Sequence, residues 1–182
     1  MAFKAWKQHQ LPQLNSAGLE VHDLSKSLDQ HFRGAYHGGI VDVYRPHLKG
    51  QGYYYDVNSL YPTAMCRPMP VGIPTPKSLT PPEFEDSDFF GFLEATVQAP
   101  PNEYIGLLPI RIDGRLVCPV GTCLTGLTNV PIAAAVTAYS RMIINEFKLI
   151  AIQQGLDIYY SDTDSLVVNG PLPPEVCDSA FS

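Results

Sequence analysis

Two β-prone, apolar runs that lie far apart in this sequence each deliver aspartate side chains. The first run is Tyr53-Tyr54-Tyr55-Asp56, and the second is Tyr159-Tyr160-Ser161-Asp162-Thr163-Asp164-Ser165-Leu166-Val167-Val168. A carboxylate at the end of an aromatic strand is costly unless a cation meets it. Two strands that each end by presenting an aspartate are what a two-metal phosphoryl-transfer site requires. That chemistry is therefore the first to consider for this chain.

The composition limits the class of protein. The 182 residues are 45% hydrophobic, which is enough for one domain with its own core. A net charge of −6 lacks the broad basic footprint of a self-sufficient nucleic-acid binder. No apolar stretch reaches the roughly 18 to 20 residues of a membrane span, and the first ten residues lack the apolar core of a secretory signal. These features predict a soluble, intracellular protein without membrane contact.

The cysteines and histidines show no ligand spacing. The four cysteines lack C-x-x-C pairs, which argues against a zinc site or a disulfide framework and favours a reducing compartment: Cys66, Cys118, Cys123 and Cys177. The five histidines follow neither helical nor strand periodicity, and we expect them at the surface: His9, His22, His31, His37 and His47.

The first half of the chain suggests strands with one short helix. Residues 1–33 are polar and predict a poorly defined helix-and-loop segment, which leaves 34–182 as the domain. Alternation through Ile40–Tyr44, then Gly50-Gln51-Gly52 before Tyr53–Asp56, predicts a hairpin of these two strands. Ser59–Met65 predicts a short helix with Pro62 in its first turn, where a missing N–H is harmless.

The second half contains the clearest helix. After an irregular stretch from Pro68 to Pro82, strands are predicted in Phe89–Val97 and Gly106–Ile112. Apolar residues at spacings of three and four then predict a long helix from Ile132 to Ile150, with Asn129 as N-cap, Pro131 in the first turn and Gly155 after the end. Asp157–Ser161 and Ser165–Val168 form a second predicted hairpin. Sheet hairpins with one backing helix indicate an α+β fold.

The aspartates admit two interpretations. Asp56 alone favours a helix cap, and Asp162-Thr163-Asp164 alone is common turn chemistry. In a tight hairpin, however, alternation points Asp162 and Asp164 the same way, and the two carboxylates repel unless they share a divalent cation with a third oxygen donor. Asp56 is the obvious third donor. Magnesium suits such a set of oxygen ligands.

Four motifs together resemble a known family. Asp56-x-x-Ser59-Leu60-Tyr61-Pro62 and Tyr160-Ser161-Asp162-Thr163-Asp164-Ser165 resemble motifs A and C of family B DNA polymerases. Tyr36-His37-Gly38-Gly39 resembles the Y-x-G-G linker of the protein-primed branch, which serves linear plasmids, bacteriophages and organellar elements. The segment Asn129–Arg141 is similar to the helix that leads into motif C. The resemblance runs from Tyr36 to Val168 and implies a polymerase palm, an antiparallel sheet with a long backing helix.

The resemblance implies roles for particular residues. Asp56, Asp164 and the Val57 carbonyl would hold two Mg²⁺ ions, with Asp162 in support. Ser59 and Leu60 would offer backbone N–H groups to the incoming dNTP, and the Tyr61 ring would exclude a ribose 2′-hydroxyl. The DNA template-primer would contact four residues: Tyr36, Gly38, Gly39 and Thr163. The alternatives are a core aromatic for Tyr61, a plain turn for the linker, and either a phosphate contact or a solvated helix face for Arg141.

The sequence also departs from the family. Motif B, a lysine-bearing helix followed by N-S-x-Y-G, is missing, and only Cys123–Thr128 stands where the family has its fingers insertion. No exonuclease domain, K-x-Y motif or thumb is recognisable. We therefore expect a truncated DNA polymerase, or one fragment of a longer product, that uses a terminal priming protein and is made in the mitochondrion rather than imported. A catalytically silent palm remnant and a D-x-D glycosyltransferase are the alternatives.

Overall fold

The fold combines helices with antiparallel sheet, which confirms the predicted α+β class. The computed structural model describes residues 8, 11–18, 24–34, 36–70, 72–85, 91, 93–98, 106, 109–120, 123–128 and 132–178. The helices are α1 (Leu11–Ser16), α2 (Lys26–Gly34), α3 (Leu60–Met65), α4 (Pro81–Glu85), α5 (Ile132–Gln153) and α6 (Pro174–Asp178). The strands are β1 (Val41–Val43), β2 (Tyr53–Asp56), β3 (Leu93–Gln98), β4 (Ile110–Ile112), β5 (Arg115–Val117), β6 (Cys123–Thr128), β7 (Ile158–Asp162) and β8 (Ser165–Val168).

A four-stranded antiparallel sheet with the order β1-β7-β8-β2 carries both aspartate runs. The predicted β7–β8 hairpin is confirmed and occupies the centre, where Ile158, Leu166 and Val168 are fully buried. The predicted hairpin of β1 with β2 is wrong, because these strands pair with β7 and β8 at opposite edges. The most apolar hairpin takes the central position, since central strands lose most solvent contact, and the half-exposed β1 and β2 flank it.

The register places the aspartates in one row across the sheet. Asp56 faces Ser165, Ser165 faces Asp162, and Asp162 faces Val41. Directly paired residues project to the same side of a sheet. The next row on this side includes Tyr54, which is 64% exposed, so this face is open to solvent. The opposite face packs on α5.

Helix α5 supplies most of the core beneath the sheet. Ala151 packs with Ile158, Leu166 and Val168, while Ile143 and Ile144 pack with Val57 and Leu60. Burying a side chain of this size contributes roughly 1.5–3 kcal/mol. These contacts fix the position of the strand end at Val57 relative to the helix.

The predicted stop signal of α5 is confirmed. Gly155 has φ of 73°, a backbone conformation that favours glycine. Its N–H donates to the Ile152 carbonyl at 2.9 Å, and the Leu156 N–H donates to the Ala151 carbonyl at 2.9 Å, which is a Schellman motif. The predicted N-terminal signals, Asn129 and Pro131, lie outside the described residues.

The remaining elements agree with the sequence only in part, since α4, α6, β5 and β6 were not predicted. The predicted helix after motif A is confirmed as α3, in which Pro62 is the third residue. The predicted irregular stretch from Pro68 to Pro82 is wrong at its end, because Pro81 and Pro82 form the first turn of α4, where a missing N–H is harmless; the described residues of 68–80 contain no helix or strand. The predicted strands near Phe89–Val97 and Gly106–Ile112 correspond to β3, which pairs with β6, and β4, which pairs with β5. Within the described ranges, no helix is long and apolar enough to cross a membrane.

Candidate active site

A backbone hydrogen bond joins the two aspartate motifs. The Val57 N–H, directly after β2, donates to the Asp164 carbonyl at 2.8 Å and extends the β2–β8 ladder. Asp56 and Asp164 therefore lie at the same end of neighbouring strands. Both line a cavity of about 90 Å³ whose other walls are mainly apolar side chains, including Ile144, Phe147 and Leu166.

The turn between β7 and β8 is strained at its centre. Thr163 has φ of 50°, which is unusual for a β-branched residue, whereas Asp164 lies outside the positive-φ region. Positive φ is common in the two-residue loops of β-hairpins. Because Asp164 belongs to the turn, strand alternation from Asp162 does not reach it, and the register does not fix its direction. Strain of this kind persists only where the surroundings impose it.

Asp162 is held by its neighbours. Its Oδ1 accepts a hydrogen bond from the Thr163 hydroxyl at 3.0 Å, and its Oδ2 accepts one from the Tyr160 hydroxyl at 3.2 Å. The Ser165 hydroxyl donates to its carbonyl at 3.1 Å. The side chains of Asp56 and Asp164 make no hydrogen bond to any residue that the structure describes. Among the described residues, therefore, Asp162 is the aspartate of the three whose carboxylate oxygens accept hydrogen bonds from protein side chains.

The Tyr36-His37-Gly38-Gly39 linker lies against the same turn. The Ile40 carbonyl accepts the Thr163 N–H at 3.0 Å. A Cβ atom on Gly39 would lie 2.3 Å from the Thr163 Oγ1 atom, so the backbone approaches too closely for any other residue. The linker is therefore packed directly onto the turn of the D-T-D motif, between Asp162 and Asp164.

Arginine side chains hold the linker from the other side. The Arg141 guanidinium donates through Nη1 to the Gly38 carbonyl at 3.0 Å and to the His37 carbonyl. The Arg111 guanidinium donates to the Tyr36 carbonyl at 3.3 Å. Burial lowers the pKa of Arg141. The solvated-face interpretation of Arg141 is wrong, because this half-buried side chain bridges α5 to the linker.

His37 was predicted at the surface, and that prediction is wrong. The residue is only 7% exposed, and its Nδ1 atom has no hydrogen-bond partner among the described residues. Burial, followed by the positive charges of Arg141 and Arg111, lowers its pKa, so the imidazole is neutral at pH 7. His37 is buried because Arg141 hydrogen-bonds to the carbonyls of His37 and Gly38 and so holds this segment against α5. His31 and His47 are exposed as predicted, while His9 and His22 fall outside the described residues.

Tyr61 and Leu60 separate into different environments at the start of α3. Leu60 is 2% exposed and belongs to the core. Tyr61 is half-buried, and its pKa is raised first by burial and then by Tyr36 and the Asp164 carboxylate. Ser59 precedes them in a left-handed conformation, φ 54° and ψ 43°, without a side-chain cap to the helix. The Tyr61 phenol thus lies within electrostatic range of both the linker and the D-T-D turn.

Comparison with known proteins identifies the family. The family described as DNA polymerase type B, organellar and viral, matches residues 1–148. The chain belongs to this family. The matched range contains the linker and motif A and ends within α5, before the β7–β8 hairpin. The predicted resemblance to family B DNA polymerases of this kind is confirmed.

Individual relatives of this family B chain are much longer proteins. It is 40% identical over 102 residues to a "Probable DNA polymerase" of Podospora anserina, covering 54% of this chain and 8% of the relative. It is 32% identical over 124 residues to a "Probable DNA polymerase" of Agaricus bitorquis, covering 60% and 15%. It is 46% identical over 55 residues to the "DNA polymerase" of Bacillus phage Nf, covering 28% and 10%. The chain thus spans a small part of each, and no solved structure matches it.

The carboxylates of this family B chain fit magnesium chemistry. In the described ranges, no group of three or more histidine, cysteine, aspartate or glutamate side chains is arranged around a common ion position. Mg²⁺, however, commonly binds proteins through only one or two carboxylates and completes its coordination with water and substrate phosphates. Asp56 and Asp164 carry hard oxygen donors and lie at the same end of the neighbouring strands β2 and β8, so they fit a site of this kind.

Two basic residues in α5 were not assigned a structural contact from sequence. Arg141 binds the linker, and Lys148 is buried beneath the sheet. They are the only basic residues in this 22-residue helix and stand seven apart, which places them on one face. A pair of charges at that spacing in an apolar helix is the signal that could have predicted their contacts.

Proposed function

We propose that this chain is the palm of a template-directed DNA polymerase that uses two metal ions. The reaction is nucleotidyl transfer to a primer 3′-hydroxyl, or to a protein hydroxyl at initiation. The observation that carries the proposal is the hydrogen bond from Val57 N–H to the Asp164 carbonyl. This bond joins motif A and the D-T-D turn at the same end of the neighbouring strands β2 and β8. Family membership supports the same chemistry.

Asp56, Asp164 and the Val57 carbonyl are the proposed ligands of two Mg²⁺ ions. When held by these residues, Mg²⁺ would favour ionisation of the attacking hydroxyl and offset charge on the transferring phosphoryl group. Asp56 and Asp164 suit this role because no described side chain occupies their oxygens.

Asp162 has a supporting role in this proposal. Both of its carboxylate oxygens already accept hydrogen bonds, from Thr163 and Tyr160. Those bonds hold the strained turn in one conformation, and the turn carries Asp164. We therefore infer that Asp162 positions Asp164 rather than binding an ion directly.

The incoming nucleotide is proposed to lie over the start of α3. The Ser59 and Leu60 N–H groups are not needed by the helix itself, because the first N–H groups of a helix lack intrahelical acceptors. In this proposal they donate to triphosphate oxygens. Tyr61 would lie against the deoxyribose, and its raised pKa keeps the phenol neutral beside Asp164. A neutral, fixed ring excludes a 2′-hydroxyl by volume.

The template strand is proposed to follow the linker. Tyr36 is exposed, Gly38 has open space around it, and Gly39 packs on Thr163. Glycine permits a phosphate backbone to approach closely. Because Arg141 and Arg111 bind the linker carbonyls, they hold these contact residues beside the carboxylates.

A catalytically silent palm remnant is the second candidate, and one observation favours it. The six residues Cys123–Thr128, where the family has its fingers insertion, form strand β6 and pair along their whole length with β3. They are thus part of a two-stranded sheet and supply no lysine-bearing helix for the triphosphate. Loss of one such electrostatic donor commonly lowers a rate by about 10²–10³.

The finer biological assignments belong to this proposal as well. A terminal priming protein, an element of the linear-plasmid type and a mitochondrial location are inferred from the organellar and viral description of the family. The proposed partners are DNA template-primer and dNTPs.

Primer extension tests the proposal. The purified chain is incubated with Mg²⁺, primed template and four dNTPs beside an Asp164→Asn variant, which excludes a contaminating polymerase. Extension by the wild type that the variant lacks is the expected result for an active palm. A folded wild-type chain with no extension would refute an active enzyme and favour the silent remnant.

A further inference from the structure

A buried lysine links α5 to the edge strand of the sheet. Lys148 is 4% exposed, and its Nζ donates to the Tyr44 hydroxyl at 3.1 Å. The Tyr44 hydroxyl donates in turn to Asp42 Oδ2 at 3.3 Å. Burial lowers the pKa of Lys148, whereas Asp42 and then Cys118 raise it. A buried ammonium is tolerated only with such partners.

Ser161 extends this polar layer toward the aspartates. It faces Asp42 across the β1–β7 ladder, so both side chains project toward α5. Ser161 is 1% exposed, and its hydroxyl has no hydrogen-bond partner among the described residues. Side chains of directly paired residues begin about 4.5–5.5 Å apart at Cβ, a separation that one water molecule can bridge. Buried hydroxyls are commonly satisfied in this way.

We propose that Lys148, Tyr44, Asp42 and Ser161 form one buried polar network, closed by an internal water between Asp42 and Ser161, and that this network positions Asp162. Ser161 directly precedes Asp162, and Asp42 directly follows Val41, the cross-strand partner of Asp162. The network thus holds both backbones beside that carboxylate. These are positioning residues, and only the consequence for Asp162 rests on the proposed function.

The direction in which Ser161→Ala shifts the melting temperature tests whether a water bridges Ser161 to Asp42. If water bridges Ser161 to Asp42, Ser161→Ala lowers the melting temperature by a few degrees, and combining it with Asp42→Asn adds less than the sum of the single shifts. If the hydroxyl is simply unpaired, Ser161→Ala leaves the melting temperature unchanged or raises it, which overturns the bridge. Ser78→Ala, at an exposed position, is the matched control.

A double-mutant cycle tests the charged part of the network. Lys148→Met is expected to lower the melting temperature by about 5–10 °C, because it leaves Asp42 and Tyr44 without their cation. The double variant Lys148→Met/Asp42→Asn should recover at least half of that loss. Additive single effects would overturn the network. Lys49→Met, at an exposed lysine, should shift the melting temperature by less than about 2 °C.

Mn²⁺ affinity, measured by calorimetry below the melting temperature, tests the positioning role. Lys148→Met is expected to weaken Mn²⁺ binding roughly 10-fold, a typical effect of residues behind the ligands, and the double variant should restore it. Unchanged affinity in a folded Lys148→Met protein would overturn positioning. If wild type binds no Mn²⁺, the proposed function fails, while the unfolding cycle still decides whether the network exists.

Discussion

Replacing Gly39 by alanine is expected to break the contact between the linker and the D-T-D turn. The new Cβ would lie 2.3, 2.8 and 2.9 Å from the Oγ1, Cγ2 and Cβ atoms of Thr163. Thr163 cannot move away easily, because it is strained and bound to both Ile40 and Asp162. Overpacking of this kind costs typically about 1–3 kcal/mol. For a chain of this size, a loss of about 2 kcal/mol lowers the melting temperature by roughly 4–8 °C.

The neighbouring glycine provides a matched control. A Cβ on Gly38 meets nothing within 4 Å, and Gly38 is not at positive φ, so Gly38→Ala should change stability by less than about 0.5 kcal/mol. Gly39→Ala/Thr163→Gly should recover most of the Gly39→Ala loss, because glycine removes the clashing side chain and suits φ of 50°. Thermal unfolding measures all three. Equal losses in Gly38→Ala and Gly39→Ala, or no rescue by Thr163→Gly, would refute the proposed contact.

Three further predictions follow from single side chains. Gly155→Ala should cost about 1–2 kcal/mol in urea unfolding, because a residue with a Cβ is disfavoured at φ of 73°; Gly34→Ala, which lacks positive φ and whose Cβ would meet nothing within 4 Å, provides the comparison. Burial, followed by Asp42, raises the pKa of Cys118 from 9.0 to about 11. The unfolded thiol therefore ionises first, and stability should fall as pH rises from 9 to 11; this fall should be smaller in Cys118→Ala and unchanged in Cys66→Ala. If the palm extends primers, Tyr61→Val should raise ribonucleotide incorporation relative to dNTP incorporation, and an unchanged ratio would contradict the role of the ring.

Local patterns predicted the elements better than their arrangement. The β7–β8 hairpin, α3 and the end of α5 followed from turn residues, periodicity and Gly155, all of which act over a few residues. The pairing of β1 with β2 was wrong because strand order depends on which hairpin buries most surface, a comparison across the whole chain. The short separation of β1 and β2 in the sequence favoured a hairpin between them. The greater burial of β7 and β8 instead places that pair at the centre of the sheet, with β1 and β2 at its two edges.

The sequence proposed candidate site residues, but it did not predict the contacts that these residues make. The motifs suggested Asp56, Asp164 and the linker as candidates, and in the structure these segments lie together at one end of the sheet strands. Alternation could not place Asp164, since a two-residue turn interrupts the strand. The burial of His37 and the contacts of Arg141 depend on residues about a hundred positions apart, which no local pattern reports.

Calorimetric titration with Mn²⁺ tests most directly whether Asp56 and Asp164 form one ion site. Wild type, Asp56→Asn, Asp164→Asn and Asp162→Asn are compared at a temperature where each is folded, so the result does not depend on polymerase activity. We expect binding by wild type, loss in Asp56→Asn and Asp164→Asn, and a smaller, roughly 10-fold weakening in Asp162→Asn, whose side chain acts through the turn. Equal affinity in wild type and Asp164→Asn, or no binding by wild type, would contradict an ion site formed by Asp56 and Asp164.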